Sequence, residues 1–540
     1  MQFDTEKCNL HPPLSTYIAP GGLWQDPLHA PECSRTTGLQ QNQWHGSSCG
    51  GHMTEIDVII VGAGPTGLTL ASELRLAGIQ PLVLERLPDI REVAKAGGIG
   101  GQILNLLRYR ELGDLLDAAA GPPITAKLPF GGIHVDLTEL PESPMQVQRL
   151  PQPQLEALLQ DHVRGLGVEI RRGHEVTGLE QDDDVVHLDV HGPDGPYRIS
   201  AQCVVGCDGV RSRVRELSGI GFPGITYPEV HRLATVTMPA EITVRDDGDY
   251  EVPEYGRLPW GYSQTEGGIF AIASSEPGTL GLYTSEPPDR DYGDDIPLTL
   301  NEFRDSIRRV LGTDIPLGEP QRLTRFTYAA RNAEHYAQGR VLLAGDAAHQ
   351  IPTGGVAVSA GMLDGVNLAW KLAATLHGWA PAGLLDTYHR ERHHAGERLL
   401  LHSQAQVSLR RGHDPADEAL RKVFSELVSD APALARVGAM IAGADVRYPM
   451  PGSQPQSLAG TFAAGLPDDA AAALRAARPV FLGPSELRDV AAPWADRIAI
   501  LNHPADGMLI RPDAHIAWVG TTDTGLRQAL TYWFGDPLPR

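Results

Sequence analysis

A glycine-rich turn between two apolar segments constrains the fold of this chain more than any other feature. Residues 56–61 form a short apolar segment typical of a buried strand, and the turn Gly62-Ala63-Gly64-Pro65-Thr66-Gly67 follows it directly. Residues 68–78 have the pattern of a helix, and residues 81–85 have that of a second short strand. The order predicts one βαβ unit in a parallel sheet.

The turn fits the pattern G-x-G-x-x-G at the junction of strand and helix. Gly62 permits the tight turn, Gly64 lets the backbone approach a pyrophosphate, and Gly67 lets helix and strand pack closely. The helix N-terminus then faces the phosphate charge. Glu85 ends the second strand, where a carboxylate can accept hydrogen bonds from an adenosine ribose. These residues predict a dinucleotide site without distinguishing FAD from NAD.

The charge balance limits the classes of partner. The 540 residues include 45 Lys and Arg against 67 Asp and Glu, a formal net charge of −22. Such an acidic excess disfavours binding to nucleic acid or to an anionic membrane, since both require clustered cations. No segment approaches the roughly 18 continuous apolar residues of a membrane span, and the start has no secretory signal. We expect a soluble, cytoplasmic protein.

Cysteines and histidines give no sign of a disulfide framework or a metal site. Cys203 and Cys207 are separated by three residues, so they do not form a Cys-x-x-Cys redox pair, and the other cysteines lie in the first 52 residues. His389 and His393 have the i, i+4 spacing of a zinc pair, but the sequence His-Arg-Glu-Arg-His lacks the zinc-protease pattern. We predict no bound metal.

Composition divides the chain into four parts. Residues 1–52 lack periodicity, and we expect a disordered or non-native extension before a functional start at Met53. Residues 226–324 carry short β-like segments rich in turn residues, which predicts an inserted sheet domain. Residues 53–225 and 325–450 around it predict one discontinuous α/β domain, and residues 455–540 a small C-terminal domain.

Several later motifs, taken in order, carry a family resemblance. They are Arg149-Leu150-Pro151-Gln152, Asp208-Gly209-Val210-Arg211-Ser212-Arg213-Val214-Arg215, Gly345-Asp346-Ala347-Ala348-His349 with Pro352, and the segments 364–371, 388–392 and 510–518. With the glycine turn, they resemble the single-component (group A) FAD-dependent aromatic hydroxylases of the para-hydroxybenzoate hydroxylase fold group. Within that group the chain looks most like the enzymes that hydroxylate aromatic polyketides and rifamycins.

The resemblance implies a fold and a reaction. The fold is mixed α/β: a doubly wound FAD-binding domain, an inserted β-sheet substrate domain and a C-terminal thioredoxin-like domain. FAD is bound non-covalently, NADPH or NADH reduces it transiently, and O2 forms a flavin C4a-hydroperoxide. An oxygen atom then passes to a phenolic polyketide in secondary metabolism. The protein positions the substrate and excludes water, acts as a monomer or homodimer, and no catalytic side chain is identified.

The resemblance also implies a set of cofactor contacts. Asp346 is expected to hold the ribityl hydroxyls, and the Asp208 motif to touch both FAD and the nicotinamide cofactor. The full predicted set is Gly62, Gly64, Pro65, Thr66, Gly67, Glu85, Arg86, Lys95, Gln102, Gln152, Asp208, Gly345, Asp346, Pro352, Gly355, Val356, Ala357, Val358 and Ser359.

Two positions depart from the family pattern beside the expected flavin. Ala357 stands where relatives have Gly, and Ser359 stands where they have Asn. Glycine tolerates positive φ and alanine does so only with strain, so we expect a changed loop at Ala357. Lys95 replaces a frequent Arg and keeps only its charge.

The substrate contacts and the reaction leave alternatives open. Trp260 and Tyr262 in the inserted domain are candidates for an aromatic pocket, although aromatic residues in a sheet are more often core. The same scaffold could support ring-opening oxygenation, dehydrogenation or redox-linked dehydration. A non-catalytic binder of an aromatic antibiotic is a third possibility, favoured only by the altered loop.

Overall fold

The computed structural model describes residues 56–92, 96–125, 127–274, 278–288, 297–352, 356–411, 414–454, 456–504 and 506–537. The predictions for residues 1–52, Lys95 and Gly355 therefore lie outside the described residues. Among those that are described, no helix is both long and apolar enough to cross a bilayer.

Strands and helices alternate through most of the chain. The strands are β1 (Val58–Val61), β2 (Pro81–Glu85), β3 (Ile99–Gly100), β4 (Ile124–Thr125), β5 (Lys127–Phe130), β6 (Ile133–Asp136), β7 (Gln146–Gln148), β8 (Glu169–Arg172), β9 (Glu175–Gln181), β10 (Val186–Gly192), β11 (Gly195–Ala201), β12 (Cys203–Gly206), β13 (Gly224–Thr237), β14 (Thr243–Val244), β15 (Tyr250–Val252), β16 (Gly256–Leu258), β17 (Gly261–Thr265), β18 (Gly268–Ala273), β19 (Thr279–Glu286), β20 (Pro320–Asn332), β21 (Ala337–Gln338), β22 (Val341–Leu343), β23 (His349–Gln350), β24 (Val480–Gly483), β25 (Ala499–Asn502), β26 (Gly507–Ile510) and β27 (Ile516–Gly520). The α-helices are α1 (Pro65–Leu76), α2 (Gln102–Tyr109), α3 (Gly113–Ala120), α4 (Gln152–Gly165), α5 (Arg213–Leu217), α6 (Leu300–Leu311), α7 (Ala357–Leu376), α8 (Asp386–Arg411), α9 (Pro415–Leu427), α10 (Ala431–Ala442), α11 (Asp468–Leu474), α12 (Ser485–Ala491) and α13 (Asp523–Phe534).

The predicted βαβ unit is the centre of a six-stranded sheet with the order β21-β22-β12-β1-β2-β8. Strands β22, β12, β1, β2 and β8 run parallel, and β21 pairs antiparallel at the edge. All four residues of β1 are buried, as expected for a strand covered by helices on both faces. The segments that follow β1, β12, β2 and β22 leave the sheet at the same edge, which is where α/β sheets bind ligands.

Residues 197–205 have the alternating pattern of one antiparallel strand in the sequence, but the structure divides them between two sheets. They contain β11, which pairs antiparallel with β10, and β12, which runs parallel to β1 in the other sheet. The physical reason is visible in the burial: β12 is buried at every residue, whereas β11 alternates between partly buried and exposed positions. A fully apolar segment fits the middle of a parallel sheet, and an alternating one fits a sheet with a solvated face.

A second six-stranded sheet has the order β17-β18-β19-β13-β20-β23 and is antiparallel throughout. One face packs against α6 around an apolar cluster that includes Phe270, Leu282 and Phe303. Of its two longest strands, β13 begins before residue 226 and β20 ends after residue 324. They carry the chain from the first sheet into the second and back.

The two longest helices, α7 and α8, follow one another in the chain. The chain between them contains Gly378, Pro381 and Gly383, and both glycines have positive φ. Glycine in this conformation ends a helix, and proline cannot continue one.

The C-terminal module, residues 456–537, has a four-stranded sheet with the order β25-β24-β26-β27. Strands β24 and β25 are parallel, and β26 and β27 extend the sheet antiparallel, with α12 and α13 packed against it. Its aromatic core meets α7, where Trp370 lies 6.2 Å from both Trp533 and Phe534 between ring centroids. The mixed α/β fold predicted from the sequence is confirmed.

Candidate functional site

The glycine turn after β1 has the close contacts that its pattern predicts. Gly62 has φ of +112°, and a Cβ atom there would lie 2.4 Å from the carbonyl oxygen of Cys207. A Cβ on Gly67 would lie 2.0 Å from the oxygen of Gly62. A Cβ on Gly64, by contrast, would meet no heavy atom of the described residues within 4 Å. Two glycines are therefore required by the fold itself, and the third faces open space.

Helix α1 begins at this open space. Gly64 is its N-cap residue and supplies no side-chain hydrogen bond, and Pro65 occupies the first helical position. The first-turn N–H groups of a helix have no partner within the helix and carry the positive end of its dipole. The geometry thus offers main-chain donors to an anionic group beside Gly64.

Glu85 is held at the same edge by two main-chain donors. Its Oε2 accepts a hydrogen bond from Ala63 N at 2.8 Å, and its Oε1 accepts one from Leu87 N at 2.9 Å. These bonds fix the carboxylate next to the glycine turn, and its remaining lone pairs can still accept from a ribose. Arg86 follows and is exposed on the cavity wall.

Asp208 comes after β12 and faces the same space. Its Oδ2 accepts hydrogen bonds from Arg213 N at 2.7 Å and Val214 N at 3.1 Å, at the start of α5. Its Oδ1 is buried and has no hydrogen-bond partner among the described residues. Burial raises the pKa of the carboxyl group against these main-chain bonds. A buried acceptor of this kind is a place for a ligand hydroxyl or a water.

Asp346 enters the space from the end of β22. It lies in the one-turn 3-10 helix Gly345–Ala347 and is exposed, whereas both of its neighbours are buried. Gly345 has φ of +64°, and a Cβ there would lie 2.6 Å from Thr66 Oγ1 at the start of α1. This contact places the Asp346 turn directly against the glycine turn.

The start of α7 closes the space. The described non-glycine residues with positive φ are Glu111, Glu254, Ala477 and Ala514, so Ala357 is not among them. Ala357 is instead the first residue of α7, where alanine is favourable. The expected strain at this position does not occur.

These elements enclose one cavity of about 640 Å³, within the size range of cofactor and ligand sites. The predicted residues that line it are Gly62, Gly64, Pro65, Thr66, Glu85, Arg86, Gln152, Asp208, Asp346, Val356, Ala357 and Val358.

The cavity has two chemically different ends. Around Glu85 it is polar, with Arg91, Arg172 and Glu156 near one another. The other end, which we call the apolar end, consists of side chains from one apolar cluster: Leu128, Met145, Val147, Ile351, Val356 and Ile441. Such a shape suits a ligand with a charged, polar half and a flat apolar half.

Some predicted residues lie behind the cavity wall. Gly67 and Gly345 support the turns, and Pro352 is buried next to Ile351 of the wall. The Ser359 hydroxyl accepts a hydrogen bond from Gly100 N at 3.1 Å. Gln102 and Ser359 line a separate cavity of about 30 Å³.

The two predicted substrate residues are elsewhere. Trp260 is 44% exposed and stacks on His134 with 6.0 Å between ring centroids. Tyr262 is 37% exposed, and the Arg410 guanidinium lies 4.9 Å from its ring centre. Neither belongs to the wall of the cavity.

Sequence reasoning missed Glu156 and most of the apolar end. Glu156 lies four residues after Gln152 on α4 and accepts a hydrogen bond from the Gln152 side chain at 2.7 Å. Burial raises the pKa of Glu156, and the nearby Glu85 carboxylate adds to the rise. The i, i+4 spacing was a usable signal for Glu156. Met145 and Ile441 had none, because ordinary apolar residues far apart in the chain meet only in the fold. Among the described residues, no group of three or more His, Cys, Asp and Glu could hold a metal ion.

A glycine turn, a carboxylate after β2 and two aspartates after neighbouring parallel strands define a dinucleotide-binding enzyme of the doubly wound class. Two family models match the chain: the FAD binding domain over residues 55–403, and the aromatic-ring hydroxylase C-terminal region over residues 451–537. The chain belongs to the FAD-binding family of aromatic-ring hydroxylases, and it is an FAD-dependent monooxygenase.

The chain matches several curated relatives over nearly their whole length. The 12-dehydrotetracycline 5-monooxygenase/anhydrotetracycline 6-monooxygenase of Streptomyces rimosus subsp. rimosus is 38% identical over 89% of this chain and 99% of its own. Rifampicin monooxygenase of Streptomyces venezuelae is 35% identical over 89% and 98%. Dialkyldecalin synthase of Streptomyces rugosporus is 34% identical over 88% and 98%. The solved structure of CabE, an aromatic hydroxylase from angucycline biosynthesis, is 35% identical with a TM-score of 0.79, covering 90% and 100%.

Proposed function

We propose that this protein hydroxylates an aromatic polyketide or a related phenol, using NADPH or NADH and O2, with FAD held non-covalently in the 640 Å³ cavity. The observation that supports the proposal most is the juxtaposition of the glycine turn, Glu85, Asp208 and Asp346 around one cavity with an apolar end. The relatives that act on anhydrotetracycline and rifampicin support the substrate class.

The residues of the wall fit FAD by their chemistry. The open side of Gly64 and the uncapped start of α1 would hold the pyrophosphate. Glu85 would accept from the adenosine ribose, and Asp346 from the ribityl hydroxyls. The buried Oδ1 of Asp208 still lacks a donor among the described residues, which a cofactor hydroxyl or a bound water would supply. FAD would supply the two-electron reduction and the activation of O2.

The residues of this chain would bind and orient the substrate and exclude water from the site. The apolar end offers no titratable side chain in its described wall, so proton transfer to the ring by a protein group has no candidate there. The role of the apolar end would be to keep water away from the reacting atoms and to hold the aromatic ring of the substrate at a fixed distance from the cofactor. The first-turn N–H groups of α7 would stabilise negative charge that develops beside them.

Further assignments are proposals of the same kind. The predicted domain limits, 53–225 with 325–450, 226–324 and 455–540, are supported by the separate parallel, antiparallel and C-terminal sheets. Trp260 and Tyr262 are retained as substrate contacts only for a ligand that reaches the surface of the second sheet. A cytoplasmic location and a monomeric or homodimeric state are proposed on the same basis as the family resemblance.

One relative favours a second candidate function. Dialkyldecalin synthase, at 34% identity over nearly its whole length, is named for a synthase reaction instead of a hydroxylation. The same cavity in this chain could therefore bind FAD and guide a rearrangement without transferring oxygen.

The deciding experiment is turnover with a panel of polycyclic phenols. We expect NAD(P)H oxidation to rise with a competent phenol and the product to gain one oxygen atom. A product of unchanged mass would favour the synthase alternative. No FAD released from the denatured protein, and no FAD binding tighter than millimolar, about −4 kcal/mol, would contradict the cofactor assignment.

A further inference from the structure

A buried set of charged residues connects the C-terminal module to the cavity wall. We call it the junction network: Asp364 and Lys371 on α7, Glu391 and Arg392 on α8, and Arg511 and Asp513 in the C-terminal module. None of the six side chains lines the 640 Å³ cavity. Their hydrogen bonds form two sets, which the consecutive α8 residues Glu391 and Arg392 connect through the helix backbone into one path, and one of the sets reaches the cavity wall.

The path begins at Asp364, which is fully buried. Its Oδ2 accepts hydrogen bonds from Gly345 N and His349 Nε2, both at 2.8 Å. Its Oδ1 accepts one from Arg392 Nε at 2.5 Å. Burial opposes ionisation, but Arg392 and His349 outweigh it and lower the pKa of Asp364. The carboxylate is thus ionised at neutral pH and fully engaged.

The bond to Gly345 is the one that reaches the cavity. Gly345 starts the turn that exposes Asp346 to the cavity, and its N–H group is held by the Asp364 carboxylate. The same glycine abuts Thr66 at the start of α1. A shift of the Asp364 carboxylate would therefore move Asp346 relative to the glycine turn.

Arg392 carries the path to α8 and to the first turn of α7. Its Nη2 donates to the Ala360 carbonyl at 3.0 Å, and its Nη1 donates to the Tyr448 hydroxyl at 2.8 Å. Arg392 thus bonds to Asp364, to the start of α7 and to Tyr448 through three different nitrogens. A planar, rigid guanidinium fixes such a geometry better than a lysine could.

Glu391, the adjacent residue of α8, joins the C-terminal module. It accepts hydrogen bonds from Arg511 Nη1 at 2.6 Å, from Arg511 Nη2 at 2.8 Å and from Lys371 Nζ at 2.7 Å. Arg511 also pairs with Asp513 and lies 4.6 Å from the ring centre of Trp533. Consecutive residues of one helix therefore bond to the C-terminal module and to Asp364.

From this path we infer that the C-terminal module is a brace for the cofactor site, and that Asp364 is the positioning residue through which it sets the Asp346 turn. The inference rests on the proposed placement of FAD in the cavity. It gives the module, which contains no cysteine for thiol chemistry, a role in the reaction. Loss of the brace should loosen FAD and change its environment.

The test uses the purified full chain and conservative variants. Tyr448→Phe removes the hydroxyl bonded to Arg392 and keeps the ring that stacks on His515 at 4.3 Å. Asp364→Asn keeps the shape but removes the charge, and Arg511→Lys keeps the charge but removes the two-pronged bond to Glu391. The matched control is Tyr250→Phe, which deletes a hydroxyl from a buried tyrosine in the core of the second sheet.

The measurements are the FAD dissociation constant, the visible spectrum and reduction potential of the bound flavin, and the thermal midpoint of the FAD-free protein. We expect Tyr448→Phe and Arg511→Lys to weaken FAD binding by about three- to tenfold, and Asp364→Asn by more than about tenfold. The flavin spectrum or potential should shift in all three and stay unchanged in Tyr250→Phe.

The FAD affinities of the wild-type protein and of the variants distinguish a failure of the proposed function from a failure of the brace. If the wild-type protein binds no FAD, the proposed function fails first. If it binds FAD and the three variants match Tyr250→Phe in affinity, spectrum and potential, the brace is refuted, even where thermal midpoints fall. If Asp364→Asn alone has an effect, Asp364 keeps its role and the brace by the C-terminal module is contradicted. An unfolded Asp364→Asn leaves the decision to Tyr448→Phe and Arg511→Lys.

Discussion

Two buried ion-pair networks in this protein have similar chemistry and different neighbours. The junction network lies between α7, α8 and the C-terminal module. The other, which we call the sheet network, lies between the second sheet and α6 and consists of Arg232, Glu286, Glu302, Arg309 and Arg325.

In the sheet network Arg232 is fully buried and pairs with Glu286 at 2.7 Å and Glu302 at 2.9 Å. The carboxylates of this network accept hydrogen bonds from arginines and from Ser306. These bonds join residues of the second sheet and α6 to one another. The bonds of the junction network, in contrast, extend to the Asp346 turn through Gly345. The comparison teaches that the burial of charge is common to both networks, and that the bond to the Asp346 turn is what distinguishes the junction network.

The largest effect should come from removing one buried anion from each network. Glu391→Gln removes the carboxylate that Lys371 and Arg511 share, although Arg511 keeps Asp513. Glu286→Gln removes the carboxylate that Arg232 and Arg309 share, although Arg232 keeps Glu302. Each substitution should lower the free energy of unfolding by about 3–5 kcal/mol, because it removes one carboxylate from a fully buried cation that was paired with it. Urea unfolding of the FAD-free proteins measures this cost.

The two variants should differ only in cofactor affinity. We expect Glu391→Gln to weaken FAD binding and Glu286→Gln to leave it within about twofold of the wild type. Equal weakening by both would erase the distinction between the networks.

The next effect concerns the glycine that faces open space. Gly64 has φ of −77°, which alanine adopts freely, and an added Cβ would meet no atom of the described residues within 4 Å. Gly64→Ala should change the stability of the FAD-free protein by under about 1 kcal/mol. It should weaken FAD binding at least about tenfold, since a methyl group would occupy the approach of the pyrophosphate.

The control for that substitution is Gly165→Ala at the end of α4, which also has open space around it and is exposed. It should change stability by under about 1 kcal/mol, as expected for alanine in place of glycine in a helix, and leave FAD affinity unchanged. If Gly64→Ala also bound FAD normally, the pyrophosphate would not lie where we propose.

The sequence predicted the part of this site that depends on local geometry. The glycine turn, Glu85, Asp208 and Asp346 all follow parallel strands, and strand ends in one sheet meet at one edge by construction. Sheet topology alone is therefore enough to predict that these residues lie together. Whether Ala357 changes the loop relative to the family pattern stays a prediction, since the structure shows only that α7 begins at this residue.

The remaining part of the site depends on packing between distant segments. The apolar end joins β5, β7 and α10 with the start of α7, and no motif predicts which leucine or isoleucine will face a cavity. The junction network is a related case. Its residues lie in motifs recognised from the sequence, but their pairing across α7, α8 and the C-terminal module is visible only in three dimensions.

The pH dependence of stability should distinguish the two faces of the second sheet, because the buried His231 lies on only one of them. His231 precedes Arg232 in β13, so their side chains lie on opposite faces. His231 Nδ1 bonds to the Tyr283 hydroxyl at 2.7 Å, its ring packs on Tyr328, and the charge of Arg410 is near. Burial, aided by Arg410, lowers the pKa of His231 to about 3.

A histidine whose pKa is lower in the folded state binds its proton first in the unfolded state. Stability is therefore present above pH 6.5 and is lost as the pH falls from 6.5 toward about 3. At pH 5 the loss should be about 2 kcal/mol, and His231→Gln should remove this part of the pH dependence. Unfolding free energies of both proteins between pH 5 and 8 provide the measurement. Parallel curves for the two would show that His231 binds its proton equally well in the folded and unfolded states, which would contradict the lowered pKa.

The smallest effect is expected at the position where relatives have glycine. Ala357→Gly replaces a good helix former at the first position of α7 without relieving any strain. Stability should fall by under about 1 kcal/mol, and FAD affinity should change by less than about threefold. A large gain in affinity or coupling would mean that alanine does distort the site.

Single turnover under oxygen gas enriched in the heavy isotope tests the central claim most directly. The claim is that this cavity holds FAD and that the enzyme transfers one atom of O2 to an aromatic ring. The FAD-bound protein is reduced with NADPH and then mixed with labelled O2 and a competent polycyclic phenol. Its product should contain one heavy oxygen atom. The Gly64→Ala protein without bound FAD should give no labelled product. A converted product without the heavy isotope would contradict the monooxygenase account.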